Sequence, residues 1–382
     1  MSTYFVSMTT LSHPSSCSAH RISVLTLIAI GSVTLTVRSV TAQSASRAFN
    51  IEEATIAQIH AAFRADTLSC RALTVSYLSR IDELDKRGPA INAIVASNPR
   101  ALDVADSLDR HRAAGRGLSP LHCIPVIVKD NFETVDLPTT GGSLALEGWR
   151  PQQDATMVRL VRAAGAIVLA KSNLAEWAFS PYETVSSILP GYTKNPYALD
   201  RVTAGSSGGT AAAVAANFGT VGLGSDTGNS IRGPSAHQAL VGIRSTMGLT
   251  SRAGVIPLNS GADIAGPMTR TVADAVAVFD VIAHSDPADS VTAPADARRA
   301  PSYSAFLVRG SLKGARIGIL RQAYERPTLD SEVQSVFERA IGDLRAQGAV
   351  IIDNARVDSL QAIQRRQQGG CNRFKFDLEH YL

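Results

Sequence analysis

The chain has 382 residues and a formal net charge of +4 at pH 7. Hydrophobic residues make up 45% of it and charged residues 18%, a composition typical of a globular protein that excludes a disordered chain. Aromatic residues are only 5%, and no segment combines clustered lysine and arginine with aromatic side chains, so a nucleic-acid-binding surface is not indicated. The length suits one large domain or two ordinary ones.

The N-terminal segment differs from the rest of the chain. An apolar stretch, residues 22–37, precedes a run of small residues that ends at Ala42. This pattern predicts a secretory signal peptide over residues 1–42, cleaved near Ala42, and a short linker over residues 43–50. The alternative is an uncleaved membrane anchor, which is disfavoured because the apolar stretch is shorter than the ~20 residues needed to span a bilayer. A secreted or periplasmic location follows from this interpretation.

The cysteines give little guidance on their own. The sequence contains Cys17, Cys70, Cys123 and Cys371, and signal cleavage would leave the last three. No pair has the C-x-x-C spacing of a zinc site or a redox motif. One disulfide with a leftover thiol is compatible with the sequence, which does not choose the pair. For Cys123, which lies beside an apolar run, a buried free thiol is the expectation.

Hydrophobic periodicity predicts alternating helices and short strands along the chain. Helices are predicted over residues 51–64, 73–84, 99–114, 156–164, 210–217, 272–283 and 331–347, and strands over residues 91–96, 124–128, 166–170, 221–224, 315–320 and 350–352. This alternation predicts a single large α/β domain over residues 51–382. Its mixed, mainly parallel twisted sheet would be covered by helices on both faces.

Two glycine-serine clusters are the most informative local feature. The first, residues 205–210, reads Gly-Ser-Ser-Gly-Gly-Thr, and the second, residues 224–232, reads Gly-Ser-Asp-Thr-Gly-Asn-Ser-Ile-Arg. Each places hydroxyls on a glycine-rich turn, where backbone N–H groups can approach a ligand closely. A phosphate-binding loop would require a lysine directly after the glycines, and none follows them.

A lysine ends the apolar run that the pattern predicts to be a buried strand. The ordinary interpretation of Lys129 is a side chain that reaches solvent from a strand end. The functional interpretation is a desolvated amine whose lowered pKa lets it accept a proton. Two serines and a lysine suffice for acyl transfer without histidine, because Ser-Lys sites are a known variant of the Ser-His-Asp arrangement.

The second cluster offers a candidate nucleophile. Ser230 follows a predicted buried strand on a tight turn, where neighbouring N–H groups can converge on one point as an oxyanion hole requires. The alternative is an ordinary strand-to-helix turn that an Asp226–Arg232 ion pair stabilises.

In this order, the clusters and Lys129 resemble the amidase signature family. The resemblance extends over residues 51–382 and includes further motifs at residues 88–93, 120–126, 171–177, 195–197 and 266–272. It implies an amidase that hydrolyses a linear carboxamide C–N bond through a seryl acyl-enzyme, with no cofactor and no metal. The expected partner is a small-molecule or peptide amide substrate, and neither nucleic acid nor a stable membrane span is expected.

The same resemblance implies a role for each site residue. Ser230 would be the nucleophile, Ser206 a bridging serine in a cis peptide, and Lys129 the base. The implied oxyanion hole consists of the backbone N–H groups of Thr227, Gly228, Asn229 and Ser230, and the implied supporting residues are Ser207, Asp226 and Arg232.

Some positions depart from the family pattern. Asn229 stands where a glycine is usual, and its side chain is expected to narrow the site beside the oxyanion hole. Cys123 also replaces a usual glycine. Family members continue beyond the segment that matches residues 373–382, so we expect a truncated product with an open sheet edge. Two rival hypotheses follow: a catalytically silent remnant, and the amidase subunit of a tRNA-dependent amidotransferase.

Overall fold

The computed structural model describes residues 49–179, 189–360, 362–363 and 373–382. The predicted signal peptide lies outside the described residues, as does nearly all of the predicted linker. Cys17 and Cys371 also lie outside them. Among the described residues, no helix combines the length and the apolar character that crossing a membrane requires.

The predicted helices and strands are confirmed, with boundaries that differ by a few residues. The helices are α1 (Ile56–Arg64), α2 (Cys70–Leu84), α3 (Ala101–Ala113), α4 (Thr156–Ala163), α5 (Gly208–Ala215), α6 (Arg232–His237), α7 (Val272–Ile282), α8 (Ala295–Arg298), α9 (Ser331–Ala346) and α10 (Phe374–Tyr381). The strands are β1 (Ile94–Ser97), β2 (Pro125–Lys129), β3 (Ile167–Ser172), β4 (Val221–Asp226), β5 (Val241–Gly242), β6 (Ile264–Thr269), β7 (Arg316–Gly318) and β8 (Val350–Ile352).

A capping box explains why the first helix begins later than its apolar pattern. The Thr55 side chain accepts a hydrogen bond from the Gln58 backbone N–H, and the Gln58 side chain accepts one from the Thr55 N–H. These bonds satisfy N–H groups that the first helical turn leaves without partners, so the helix starts at Ile56.

The mixed sheet is confirmed, and its central strands are parallel. Strand order is β1-β3-β2-β4-β6-β5, with β2 parallel to both β3 and β4 and the outer pairs antiparallel. The pattern did not predict β5 or β6. Gly266 and Pro267 interrupt the β6 sequence, and both residues are usually depleted in strands. A separate parallel pair, β7 and β8, flanks α9 as predicted.

The central strands are covered on both faces. Every residue of β2, β3 and β4 is buried, and successive side chains of a strand point to opposite faces. Helix α5 consists of small residues because it lies very close to its neighbours. A Cβ at Gly209 would lie only 2.3 Å from the Asn173 carbonyl oxygen, so any larger residue there would collide with backbone.

The expectation of a free thiol at Cys123 is wrong. Cys123 forms a disulfide with Cys70, the first residue of α2, and both side chains are fully buried. Cys123 has a φ of 59°, in the left-handed region where glycine is least strained. The disulfide joins α2 to the residue that lies two positions before β2, the strand that ends at Lys129.

We expect the Cys70→Ala substitution to lower the free energy of unfolding by about 2–4 kcal/mol, because the crosslink restricts the unfolded chain. Denaturant unfolding, monitored by circular dichroism, measures the loss. A thiol reductant should shift the wild-type midpoint downwards and leave the variant unchanged. Equal unfolding midpoints for the wild type and the variant, both measured without reductant, would contradict a stabilising disulfide.

Candidate active site

Lys129 ends β2 and is completely buried. Its Nζ lies 2.8 Å from Ser206 Oγ and 2.8 Å from Ser225 Oγ, and it also contacts the Ser225 carbonyl oxygen at 3.4 Å. No carboxylate pairs directly with this amine within the described residues. The Lys129 amine therefore lies between the two serine clusters and does not reach solvent.

Burial lowers the pKa of Lys129 to about 7, because the charged ammonium loses its hydration. The negative charges of Asp226 and Asp263 oppose this effect. A substantial fraction of the amine is therefore neutral near neutral pH and can accept a proton from a hydroxyl.

The first cluster brings Ser206 to the amine. The Gly205–Ser206 peptide bond is cis, and both Ser206 and Ser207 are fully buried. The Ser207 hydroxyl donates a hydrogen bond to the Ser225 carbonyl oxygen over 3.1 Å. Ser207 thus links the first cluster to β4, while Ser206 faces Lys129.

Ser230 approaches the same cluster from the turn after β4. Its carbonyl oxygen accepts a hydrogen bond from the Ser207 N–H over 3.3 Å, and the residue is 8% exposed. Among the described residues, no hydrogen bond joins the Ser230 and Ser206 hydroxyls. The structure therefore brings Lys129 and Ser206 into direct contact and places Ser230 on an adjoining loop.

The turn around Ser230 presents unused backbone donors. Within the described part of the chain, the N–H groups of residues 227–230 donate to no protein acceptor, whereas the next N–H, of Ile231, donates to Asp226 Oδ2 over 3.0 Å. Several N–H groups on one turn can stabilise an oxyanion. This arrangement is compatible with the sequence-based prediction for Thr227, Gly228, Asn229 and Ser230.

Two arginines hold the Asp226 carboxylate at the base of this turn. Arg232 Nε lies 3.1 Å from Asp226 Oδ2, and Arg244 Nη1 lies 3.1 Å from Oδ1. Burial opposes ionisation, but the Arg232 hydrogen bonds and the N–H donors of Ile231 and Arg232 outweigh it and lower the pKa of Asp226. Arg232 also donates to the Gly228 carbonyl oxygen, so the pair stabilises the turn itself.

Asn229 fits this turn without backbone strain. Its φ lies outside the left-handed region, so the usual glycine is not required there for conformational freedom. The residue is exposed, and its side chain packs over Gly233, where an added Cβ would lie 2.2 Å from Asn229 Nδ2. The expected narrowing of the site by this side chain is therefore limited, because the side chain lies against α6.

Three side chains of this cluster were not predicted from the sequence. Ser225 accepts hydrogen bonds from Lys129 and from Asn131 Nδ2, the latter over 3.0 Å. Arg244 braces Asp226, and Asp263 accepts a hydrogen bond from the Thr227 hydroxyl. Ser225 lies inside the second cluster and was open to prediction, whereas Arg244 and Asp263 come from segments that sequence spacing does not connect to it.

A cleft of about 850 Å³ opens beside the turn. Thr227, Gly228, Arg232 and Arg244 contribute to its wall. In the described ranges, the one group of buried metal-ligand types is Cys70, His122 and Cys123, and there the two thiols are joined in the disulfide.

Comparison with known proteins places this fold among those of amidases. The model of the amidase family matches residues 72–366. A probable amidase from Arabidopsis thaliana is 37% identical over 353 residues, which cover 88% of this chain and 66% of that relative. The chain belongs to the amidase family.

Two further relatives show the range of the family. A glutamyl-tRNA(Gln) amidotransferase subunit from Salinispora arenicola is 39% identical over 285 residues, covering 75% of this chain and 57% of the relative. The native peptide amidase of Stenotrophomonas maltophilia has 40% identity and a TM-score of 0.79, over 86% of this chain and 67% of that structure. The chain thus spans 57–66% of the length of the two curated relatives.

We expect Arg244→Met to lower the free energy of unfolding by about 1–3 kcal/mol, because the buried Asp226 carboxylate loses a charged donor. Arg244→Lys is the matched control: it keeps the positive charge but lacks the planar guanidinium group, so it should retain part of the stability. Urea unfolding of both variants tests this. An Arg244→Met protein as stable as the wild type would show that Arg232 alone satisfies Asp226.

Proposed function

We propose that this protein is an amidase that hydrolyses a linear carboxamide through a seryl acyl-enzyme. One observation carries the proposal: a fully buried lysine with a pKa of about 7 has its amine 2.8 Å from a buried serine hydroxyl. An amine that is partly neutral near pH 7 and hydrogen-bonded to a hydroxyl is suited to general-base catalysis. Membership of the amidase family supports the same reaction class.

In the proposed acylation step, Ser230 Oγ attacks the amide carbonyl carbon. The Ser230 proton passes to Ser206, whose own proton passes to the Lys129 amine. The N–H groups of residues 227–230 would bind the resulting oxyanion. The two serine hydroxyls must approach each other for this transfer, and substrate binding commonly tightens such contacts.

Collapse of the tetrahedral intermediate breaks the C–N bond. The Lys129 ammonium returns a proton through Ser206 to the leaving nitrogen, which departs as the amine or ammonia. Water then attacks the acyl-enzyme with the same base, and the reaction ends with a carboxylic acid and free Ser230. Each proton taken from a nucleophile is accounted for, and the site returns to its starting state.

The substrate class is proposed only as a linear carboxamide. The solved peptide amidase makes peptide amides the first compounds to screen, followed by aliphatic and aryl amides. A role in a tRNA-dependent amidotransferase is the second candidate, because the Salinispora relative has a comparable identity of 39%. The hydrolase is favoured since the Arabidopsis relative aligns over 88% of this chain, against 75% for the Salinispora protein.

We expect a fluorophosphonate to label Ser230, with a rate that rises with pH through a midpoint of about 7 as Lys129 loses its proton. Lys129→Ala should abolish the label, and Ser206→Ala should slow it. Mass-spectrometric peptide mapping locates the adduct, and circular dichroism checks that each protein is folded. A folded wild-type chain without label would support the silent remnant instead.

We also propose export through the predicted signal peptide. A disulfide between two buried cysteines is typical of proteins in oxidising compartments. Expression of the full chain in a bacterium, followed by fractionation and N-terminal sequencing, should yield a mature protein that begins at Gln43. Cytoplasmic protein that retains residues 1–42 would contradict export.

A further inference from the structure

A buried carboxylate lies next to the proposed oxyanion turn and has no role in the mechanism above. Asp263 immediately precedes β6 and is 9% exposed. Its Oδ2 accepts hydrogen bonds from the N–H groups of Leu258 and Asn259, both over 2.9 Å. Its Oδ1 accepts one from the Thr227 hydroxyl. Three donors thus hold this carboxylate in one orientation.

Through the hydroxyl of Thr227, Asp263 braces the start of the turn. Gly228 and Asn229 are exposed, and residues on both sides of them hold the turn. Asp226 and its arginines hold the far end through Ile231 and Arg232. Asp263 holds the start of the turn through the Thr227 hydroxyl.

The same carboxylate lies near the base. A small cavity is lined by Asn131, Ser225, Thr227 and Asp263, and the Ser225 hydroxyl in its wall is hydrogen-bonded to Lys129. Burial raises the pKa of Asp263, while its hydrogen bonds with Thr227, Asn259 and Leu258 and the charge of Lys129 favour the ionised form. A negative charge held there stabilises an ammonium on Lys129 more strongly than it would in water.

We propose that Asp263 is a positioning residue of the amidase reaction, which braces the oxyanion turn through Thr227 and stabilises the ammonium that Lys129 becomes during proton transfer. This inference rests on the proposed function. The neutral Lys129 amine becomes an ammonium when it takes up the proton from the nucleophile, so its interaction with Asp263 is stronger in the transition state than in the neutral-amine state that precedes it.

The other charged groups of this region have different partners. Asp226 also acts on Lys129, but it is neutralised by Arg232 and Arg244. Arg252 faces Asp263 from the preceding loop and pairs with Asp289, with N–O distances down to 2.7 Å. Asp377 binds the nearby Ser260 N–H over 2.8 Å. Among the described residues of this region, Asp263 has no arginine paired to it within 4 Å. Its negative charge acts on Lys129.

The test compares Asp263→Asn with the wild type in two measurements. Titration of ¹³C-labelled lysine by NMR, with the Lys129 signal assigned by its loss in Lys129→Met, gives the protonation midpoint of the amine without any need for activity. Amide hydrolysis as a function of pH gives kcat and KM. We expect the midpoint to fall by about one pH unit. We also expect kcat to fall about 10–100-fold, with KM little changed.

Two matched variants separate the parts of the proposal. Thr227→Val keeps the carboxylate and removes the hydroxyl, so kcat should fall while the Lys129 midpoint stays near the wild-type value. Asp377→Asn alters a buried acid that binds the same loop but touches neither Thr227 nor Lys129, and both readouts should stay near those of the wild type.

An unchanged Lys129 midpoint in folded Asp263→Asn would overturn the proposal, as would equal losses of kcat in Asp263→Asn and Asp377→Asn. A wild-type protein that hydrolyses no amide, but whose Lys129 midpoint still moves in Asp263→Asn, would contradict the proposed function while supporting the coupling. The two failures are therefore distinguishable.

Discussion

The contact between the buried Lys129 amine and the hydroxyls around it sets the requirement that the rest of the site meets. An amine with no exposed surface loses its hydration, and here it has Ser206 and Ser225 as partners at 2.8 Å in place of a directly paired carboxylate. Hydroxyls solvate a neutral amine adequately but an ammonium poorly. Burial lowers the pKa of Lys129 to about 7, against the opposing charges of Asp226 and Asp263.

A second buried lysine in the same sheet has a direct carboxylate partner. Lys171 on β3 is also completely buried, but its Nζ lies 2.9 Å from an Asp130 carboxylate oxygen and donates to the Phe132 carbonyl oxygen over 2.8 Å. Burial again lowers its pKa, and Asp130 opposes the shift directly. Breaking such a pair leaves an uncompensated buried charge, which makes Lys171 a structural residue.

The residues at the centre of the candidate site were predicted from the sequence, but those that support them were not. The two glycine-serine clusters and Lys129 are contiguous motifs, so residue type and order were enough to find them. Arg244 and Asp263 were missed because nothing in their own segments indicates chemistry. Arg244 contacts Asp226, and Asp263 contacts Thr227. These residues meet because β6 pairs antiparallel with both β4 and β5. That pairing was itself unpredicted, since Gly266 and Pro267 weaken the strand pattern.

The sequence by itself determined the α/β class, the order of helices and strands and the candidate residues, because local periodicity and motif order reside in neighbouring positions. Only the tertiary structure decided the Cys70–Cys123 disulfide, the solvent exclusion around Lys129 and the charge balance at Asp226. These depend on distances between segments far apart in the chain. Burial and pairing free energies are properties of that packing, and no single stretch of residues contains them.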